Sequence, residues 1–269
     1  MTDSVQIVER PVTSIPQELK RLHPVLARIY AGRGLKSDAE LSRGLDKLLP
    51  DAQLKGVEAA VDRLVEALEQ QQSVLILGDF DCDGATSTAT TYLALNQFGF
   101  QTVSYLVPNR FEFGYGLSPE IVAVAAQRQP RLIITVDNGI SSIEGVAAAK
   151  DLGIDVIVTD HHLPGEQLPS AVAILDPKQK DCLYPYKELC GCGIGFKLIQ
   201  ALTLQQEHDF EVLYPYLDLV ATAIAADIVP LTGENRILAY YGLKQLNKAP
   251  RPGFELLIQN TKKKVLQLS

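Results

Sequence analysis

The pattern of apolar and polar residues along the chain changes near residue 73. Before it, apolar residues recur at helical spacing without strand-like alternation. After it, short apolar runs alternate with longer stretches of helical periodicity, beginning with the run at 74–78. This alternation is typical of parallel strands joined by right-handed helical crossovers. The sequence therefore predicts an α/β fold, in which helices flank a parallel β-sheet and a helical segment leads into it.

The same pattern predicts the extent of each domain and element. We expect a helical N-terminal segment at 1–72, the α/β domain at 73–249, and a linker with a helical tail at 250–269 that begins at a Pro and Gly cluster. Ser37 and Glu40 have the spacing of a capping box, and Ser118 before Pro119 predicts another helix start. The predicted strands are 74–78, 101–107, 131–136, 154–159 and 171–176, and the predicted helices include 14–31, 37–49, 57–70, 85–99, 141–152 and 213–226.

Composition narrows the class of protein. The chain has 269 residues, enough for one large α/β domain with an appendage or for two modest domains. No run approaches the roughly 18 apolar residues that a membrane span needs, so we expect a cytoplasmic protein that makes no contact with a membrane. The four cysteines are too few for a disulfide framework, and the spacing of Cys182, Cys190 and Cys192 favours small residues in a tight turn over a zinc site.

Carboxylates and histidines follow three of the predicted strands. In an extended segment, acids on alternate positions point the same way and repel one another unless a cation lies between them. The carboxyl ends of parallel strands also meet at one edge of the sheet, where α/β folds build their sites. The sequence therefore predicts a metal site formed by residues of these strand ends, which are Asp79, Asp81 and Asp83, then Asp137, then Asp160, His161 and His162.

Further polar residues are candidates for the same edge. Asp227 closes an almost wholly apolar helix, where a carboxylate is costly unless it is paired or binds a metal. Arg110, Gly114 and Tyr115 follow the second strand, where a guanidinium could hold a phosphate with two hydrogen bonds, although a plain surface charge is the alternative for Arg110. Asp176 precedes a proline and is expected to cap a turn. We expect the glycines within 191–195 either to face a phosphate or to allow close helix packing.

The net charge of −7 argues against a protein that coats nucleic acid through its overall field. It does not exclude a nucleic-acid enzyme. Two divalent ions would add four positive charges where the acids gather, and this would reverse the field that a phosphate experiences there.

Four ordered motifs resemble those of the DHH phosphoesterase superfamily: DFDCDG at 79–84, VDNGIS at 136–141, TDHH at 159–162 and ATAIAADIVPL at 221–231. The segment PNRFEFGYGLSPE at 108–120 resembles the branch of this superfamily that degrades single-stranded DNA. The resemblance covers nearly the whole chain.

The resemblance implies two Mn²⁺ or Mg²⁺ ions at the edge of the sheet, with Asp137 bridging them. Many members carry a histidine at the position of Leu77, so Asp79 either supplies that missing ligand or lies just outside the ligands. Asp160 would orient His161, while His162 approaches the scissile phosphate and Arg110 holds a neighbouring one. The metal ligands that the resemblance implies are Asp81, Asp83, Asp137, His161 and Asp227.

The implied activity is metal-dependent hydrolysis of single-stranded DNA from the 5′ end, in DNA repair and recombination, with a helicase or a single-strand binding protein as possible partners. Members of this branch continue into a domain with a GGH motif and usually an OB-fold, so we expect a truncated gene product or an excised catalytic part with impaired exonuclease activity. The alternatives are a phosphodiesterase for oligonucleotides or cyclic dinucleotides, and a non-catalytic relative that binds nucleic acid or serves as a scaffold.

Overall fold

The computed structural model of the chain describes residue 8 and residues 11–261. The chain divides into two compact units, residues 1–47 and residues 48–269. The division predicted at residue 72 stays a prediction, as does the boundary at 249. None of the helices in the described ranges is both long and apolar enough to cross a bilayer.

The first unit is helical, but its helices are shorter than predicted. It contains the α-helix α1 at Pro24–Gly32 and short 3₁₀ helices at Gln17–Arg21, Asp38–Leu41 and Leu45–Lys47. The predicted helix over 14–31 is broken because Pro24 has no amide proton and starts a new helix, with His23 as its N-cap. The capping box of Ser37 and Glu40 is confirmed, although it opens one 3₁₀ helix and not a helix that reaches Leu49.

The second unit contains one five-stranded sheet in the order β2-β1-β3-β4-β5, and all pairs are parallel. The predicted α/β fold class is therefore confirmed. The strands are β1 Val74–Gly78, β2 Val103–Leu106, β3 Leu132–Val136, β4 Asp155–Thr159 and β5 Ala173–Leu175. The helices are α2 Val57–Glu69, α3 Cys82–Gln97, α4 Arg110–Phe113, α5 Pro119–Ala126, α6 Ile143–Asp151, α7 Gly191–Gln205, α8 Leu217–Ala226, α9 Gly233–Lys248 and α10 Pro252–Asn260.

Helices cover both faces of the sheet. Side chains alternate between these faces along each strand, so each strand contributes to two cores. One face carries Ile76 and Ile134 and packs against α2, α3, α7 and α8. The other carries Leu75 and Ile133 and packs against α5 and α6. Burial on both faces explains why β1 and β3 are nearly continuous apolar runs in the sequence, whereas the edge strand β2, VSYL, is only partly buried.

Two predicted elements differ from the structure. The apolar segment at 213–226 contains Pro215, and its first part is a 3₁₀ helix, Phe210–Tyr216, that precedes α8. The helix expected from residue 85 begins earlier, at Cys82. The lysine run at 262–264 lies outside the described residues.

A buried ion pair joins α7 to α9. Helix α7 is buried along most of its length, and the side chain of its Lys197 is inaccessible to solvent. Its ammonium group lies 2.8 Å from a carboxylate oxygen of Glu234 and donates to the carbonyl oxygen of Leu49 at 2.8 Å. Glu234 also accepts hydrogen bonds from the hydroxyl of Tyr184 and the amide of Leu49. This network connects α7, α9 and the chain before α2.

Candidate metal centre at the carboxyl edge of the sheet

The loops after β1, β3 and β4 bring the predicted residues to one edge, but the first acidic motif is not extended. Asp81 is the N-cap of α3, and its Oδ1 accepts the amide of Gly84 at 2.9 Å. Asp83 therefore lies in the first turn of the helix. The prediction that Asp79, Asp81 and Asp83 share one side of an extended segment was wrong, because the side chain of Asp81 starts the helix within the motif.

The acids separate into adjoining groups of possible metal ligands. In each group one ligand atom per residue lies within 4.8 Å of the others. Asp137 and His161 each belong to two groups, so the groups share residues. The groups are Asp79 with Asp81 and Asp137, then Asp83 with His161 and Asp227, then Asp137 with His161 and His162. All five predicted metal ligands are thus brought together, and so is Asp79.

His161 lies among three of these carboxylates. Its Nε2 atom is 3.2 Å from Asp137 Oδ1, 3.7 Å from Asp227 Oδ2 and 3.8 Å from Asp83 Oδ2. The named oxygens of Asp137 and Asp227 are buried and accept no hydrogen bond within the described residues. Buried carboxylate oxygens without partners are costly. Carboxylate oxygens together with an imidazole nitrogen are ligands that suit Mn²⁺ and Mg²⁺, so the residues fit such ions.

The raised pKa values of the acids at this edge of the sheet also indicate a cation site. Burial, together with the charges of Asp83 and Asp81, raises the pKa of Asp137 to about 10. Burial also raises the pKa of Asp83 and of Asp79 above the ordinary value for a carboxyl group. The acids therefore cannot all ionise at neutral pH without compensating positive charge. A cation would supply it.

The metal-free protein is expected to lose stability as the pH rises from about 5 to about 9. The pKa of Asp137 is about 10 in the fold and about 3.9 in an unfolded chain, so the folded state holds a proton that the unfolded state releases. The stability from that proton is complete below about pH 4 and is lost as the pH rises towards the folded pKa. Thermal unfolding in chelator should show the fall, and Asp137→Asn should flatten it. A melting temperature that rises with pH would contradict this account.

The N-terminus of α7 fixes Asp83. The Oδ2 atom of Asp83 accepts the amide of Gly191 at 2.6 Å, and its Oδ1 accepts the amide of Cys192 at 2.8 Å. A Cβ at residue 191 would lie 2.4 Å from Asp137 Oδ1 and 2.6 Å from its Cβ. Glycine is therefore needed at 191, because α7 approaches two candidate ligands at once. In the sequence, only the glycine at this position could have indicated the close contact.

The four cysteines are free thiols.

Replacing Gly191 by alanine is expected to reduce metal-dependent activity and Mn²⁺ affinity by about 10–100-fold, the range typical when the support of a metal ligand is disturbed. The new Cβ has to displace Asp137, whose own Cβ leaves no room for it. Gly195→Ala is the matched control in the same helix, since a Cβ there meets Thr91 Oγ1 at an ordinary 3.5 Å. Titration with Mn²⁺ measures both variants, and equal affinity would refute the packing argument.

Asp160 binds His162, and this corrects the prediction that it orients His161. Asp160 Oδ1 lies 2.7 Å from Nδ1 of His162, and Oδ2 accepts the amide of Ile140 at 2.9 Å. The carboxylate also accepts the amides of His161 and His162, which turns it along its own chain and away from the ring of His161. The Nδ1 atom of His161 is buried with no hydrogen-bond partner within the described part of the chain.

This contact favours the protonated form of His162. The hydrogen bond to Asp160 raises the pKa of His162 above its ordinary value. Burial raises the pKa of Asp160, but the hydrogen bonds from His162 and from the amide of Ile140 outweigh it and hold that pKa below the usual range. His162 is half-exposed. It is thus held by one nitrogen and keeps a proton at higher pH than a free imidazole.

Tyr115 contributes a contact that the sequence did not predict. Its hydroxyl donates to the carbonyl oxygen of Asp137 at 3.0 Å and lies 3.2 Å from Nδ1 of His162. Asp137 has φ 62°, a left-handed conformation that is uncommon outside glycine and often marks functional sites. Tyr115 therefore stabilises a strained residue. Its predicted contact with a phosphate stays a prediction, as does that of Gly114.

The remaining candidates flank this centre. The guanidinium of Arg110 lies 4.1 Å from the ring centroid of Phe80. A cavity of about 540 Å³ opens beside Tyr115 and His162, lined by residues of the loop before α6. Asp176 Oδ1 accepts the amide of Lys178 at 2.7 Å, so Asp176 caps a turn as expected, and burial raises its pKa to about 6.

The chain belongs to the DHH family: the sequence model of the DHH family, N-terminal domain, matches residues 73–224. Among curated proteins, it is similar to the single-stranded-DNA-specific exonuclease RecJ. The Escherichia coli K12 protein is 46% identical over 269 residues, which cover 96% of this chain and 47% of that protein. RecJ of Bacillus subtilis 168 is 39% identical over 94% of this chain and 32% of its own length. The chain thus spans half or less of these relatives.

Solved structures agree with this assignment. A crystal structure of exonuclease RecJ bound to manganese has a TM-score of 0.71 and 34% identity, covering 79% of this chain and 53% of that one. RecJ from Thermus thermophilus in complex with Mn²⁺ has a TM-score of 0.76 and 31% identity, covering 91% of this chain and 34% of that one.

Proposed function

We propose that this chain carries the catalytic site of a metal-dependent 5′-to-3′ exonuclease that hydrolyses single-stranded DNA. The observation that carries the proposal is the set of three adjoining ligand groups at the carboxyl edge of the sheet, which Asp137 and His161 connect because each of them belongs to two groups. The similarity to RecJ supports the substrate and the reaction. We further propose a role in DNA repair and recombination in the cytoplasm, with a helicase or a single-strand binding protein as a partner.

Two divalent ions, Mn²⁺ or Mg²⁺, would supply Lewis-acid chemistry here by activating water and by stabilising the attacking and leaving oxygens. Asp79, Asp81 and Asp137 would hold one ion, while Asp83, His161 and Asp227 would hold the other together with Asp137, whose Oδ1 lies 3.2 Å from Nε2 of His161. The helix amides at 191 and 192 keep Asp83 in place.

The other residues bind and orient the substrate. The contact with Asp160 raises the pKa of His162 and so favours its protonated form, which would present a positive charge to the scissile phosphate and a proton to the leaving oxygen. The hydroxyl of Tyr115 contacts both the ring of His162 and the backbone carbonyl of Asp137, and so holds these two residues in position relative to each other. Arg110 would hold a neighbouring phosphate with its guanidinium, and the cavity beside His162 offers room for a nucleotide.

The experiment is hydrolysis of single strands labelled at the 5′ or the 3′ end, in Mn²⁺, by the wild-type chain and by Asp137→Ala. Mononucleotides released from the 5′ end by the wild type only are the expected result. Hydrolysis confined to dinucleotides would indicate a phosphodiesterase for short substrates. Tight Mn²⁺ binding without turnover of either substrate would indicate a non-catalytic relative.

A further inference from the structure

Phe80 is an apolar residue in an unusual position. It lies between Asp79 and Asp81 in the turn from β1 to α3, and its side chain remains 45% exposed. Packing in the core therefore does not account for a phenylalanine between two candidate metal ligands. Its ring instead contacts the guanidinium of Arg110, whose central carbon is 4.1 Å from the ring centroid. This is the geometry of a cation–π contact.

The backbone of Arg110 is fixed separately. Asn109 is the N-cap of α4, with Oδ1 accepting the amide of Phe111 at 3.1 Å and Nδ2 donating to Glu112 at 3.1 Å. The short helix therefore determines where the side chain of Arg110 leaves the loop. The ring of Phe80 then determines where its guanidinium lies.

The stacking contact leaves the hydrogen-bonding capacity of Arg110 unused. No hydrogen bond or ion pair joins its guanidinium to any of the residues that the structure describes, and a guanidinium carries five N–H donors. An ion pair with one of the acids would consume these donors. A ring face orients the planar group and consumes none.

Arg110 also lies within electrostatic reach of the metal centre. Its guanidinium stacks on Phe80, which lies between Asp79 and Asp81, two residues of one ligand group. The guanidinium is thus both close to a candidate ligand and open to an incoming anion. The anion that this arrangement fits is a phosphate next to the one that is cleaved.

We propose that Phe80 is a positioning residue that holds the guanidinium of Arg110 at the metal centre, ready to bind a backbone phosphate of the substrate strand. The inference rests on the proposed function for the identity of the substrate. It assigns to Phe80 a role that depends on Arg110, and this dependence separates it from direct stacking of Phe80 on a base.

The test is a double-mutant cycle with Phe80→Leu and Arg110→Gln. Phe80→Leu should raise KM for a single strand about three- to tenfold, the effect falling mainly on KM, since a cation–π contact contributes this much at a partly exposed site. In the Arg110→Gln background the same change should have no further effect, because nothing remains to be positioned. Phe80→Tyr, which keeps the ring, should restore the wild-type KM.

Phe111→Leu is the matched control, since Phe111 is adjacent to Arg110 and is 94% exposed; it should leave KM unchanged. Strand affinity is also measured without turnover, by fluorescence anisotropy of a labelled strand in Ca²⁺. Equal affinity of wild type and Phe80→Leu, or an equal loss in the Arg110→Gln background, would overturn the inference. Phe80-dependent binding without cleavage in Mn²⁺ would overturn the proposed function alone, and the absence of strand binding by the wild type would overturn both.

Discussion

Replacing Asp137 by asparagine is expected to lower kcat/KM for a single strand by at least about 10³-fold, which exceeds the 10–100-fold typical of residues that only support a metal ligand. Asp137 belongs to two of the ligand groups, and its Oδ1 is a buried acceptor with no hydrogen-bond partner in the described chain. Asparagine keeps the shape and the backbone carbonyl that Tyr115 binds, but it loses the negative charge that both ions would share. Steady-state kinetics in Mn²⁺ measure the effect.

The same substitution should raise the stability of the metal-free protein at neutral pH. It removes a carboxyl group whose pKa burial and two neighbouring acids raise to about 10. Asp181→Asn, which changes an exposed carboxylate paired with Lys55, serves as the control and should affect neither quantity. If Asp137→Asn kept a tenth or more of the wild-type kcat/KM, the carboxylate of Asp137 would not bind metal during turnover.

Replacing Glu234 by alanine is expected to lower the free energy of unfolding by about 3–5 kcal/mol, the usual cost of leaving one partner of a buried ion pair alone. Lys197 is fully inaccessible, and Glu234 supplies the only carboxylate paired with it among the described residues. The substitution also removes the acceptor of Tyr184 and of the amide of Leu49. Urea unfolding at neutral pH measures the loss.

Two variants delimit this explanation. Lys197→Met in the Glu234→Leu background removes both charges and should recover much of the lost stability, since replacing a whole buried pair by apolar residues is often neutral. Lys55→Ala, which breaks an exposed pair with Asp181, should cost no more than about 1 kcal/mol. A loss below about 1 kcal/mol for Glu234→Ala would mean that water already reaches the pair.

The sequence was sufficient to predict the strands and the residues that gather at their carboxyl ends. Parallel strands buried on both faces leave a strong apolar signal, and their ends meet at one edge by construction. Asp137 and His161 could therefore be placed together without coordinates, whereas Asp227, at the end of a helix, was joined to them only by the resemblance to the DHH superfamily. The helix break at Pro24 was also visible in principle, because proline at a first helical position is a known start signal.

What the sequence could not give is the direction of individual side chains. Asp81 caps α3, and Asp160 binds His162 instead of the ring of His161. A short polar side chain has several hydrogen-bond partners of similar strength within reach, and the sequence does not show which of them it binds. The contact of Gly191 with Asp83 joins residues 108 positions apart and has no local pattern. Such long-range contacts follow from how α7 packs on the sheet.

Anomalous diffraction from a crystal of this chain soaked in Mn²⁺ tests the central claim most directly, which is that the edge of the sheet holds a pair of ions that share Asp137. The account predicts two manganese peaks about 3.5–4 Å apart, the spacing of two-metal sites, one beside Asp79 and Asp81 and the other beside Asp83, His161 and Asp227. A single peak, or peaks away from Asp137, would contradict it.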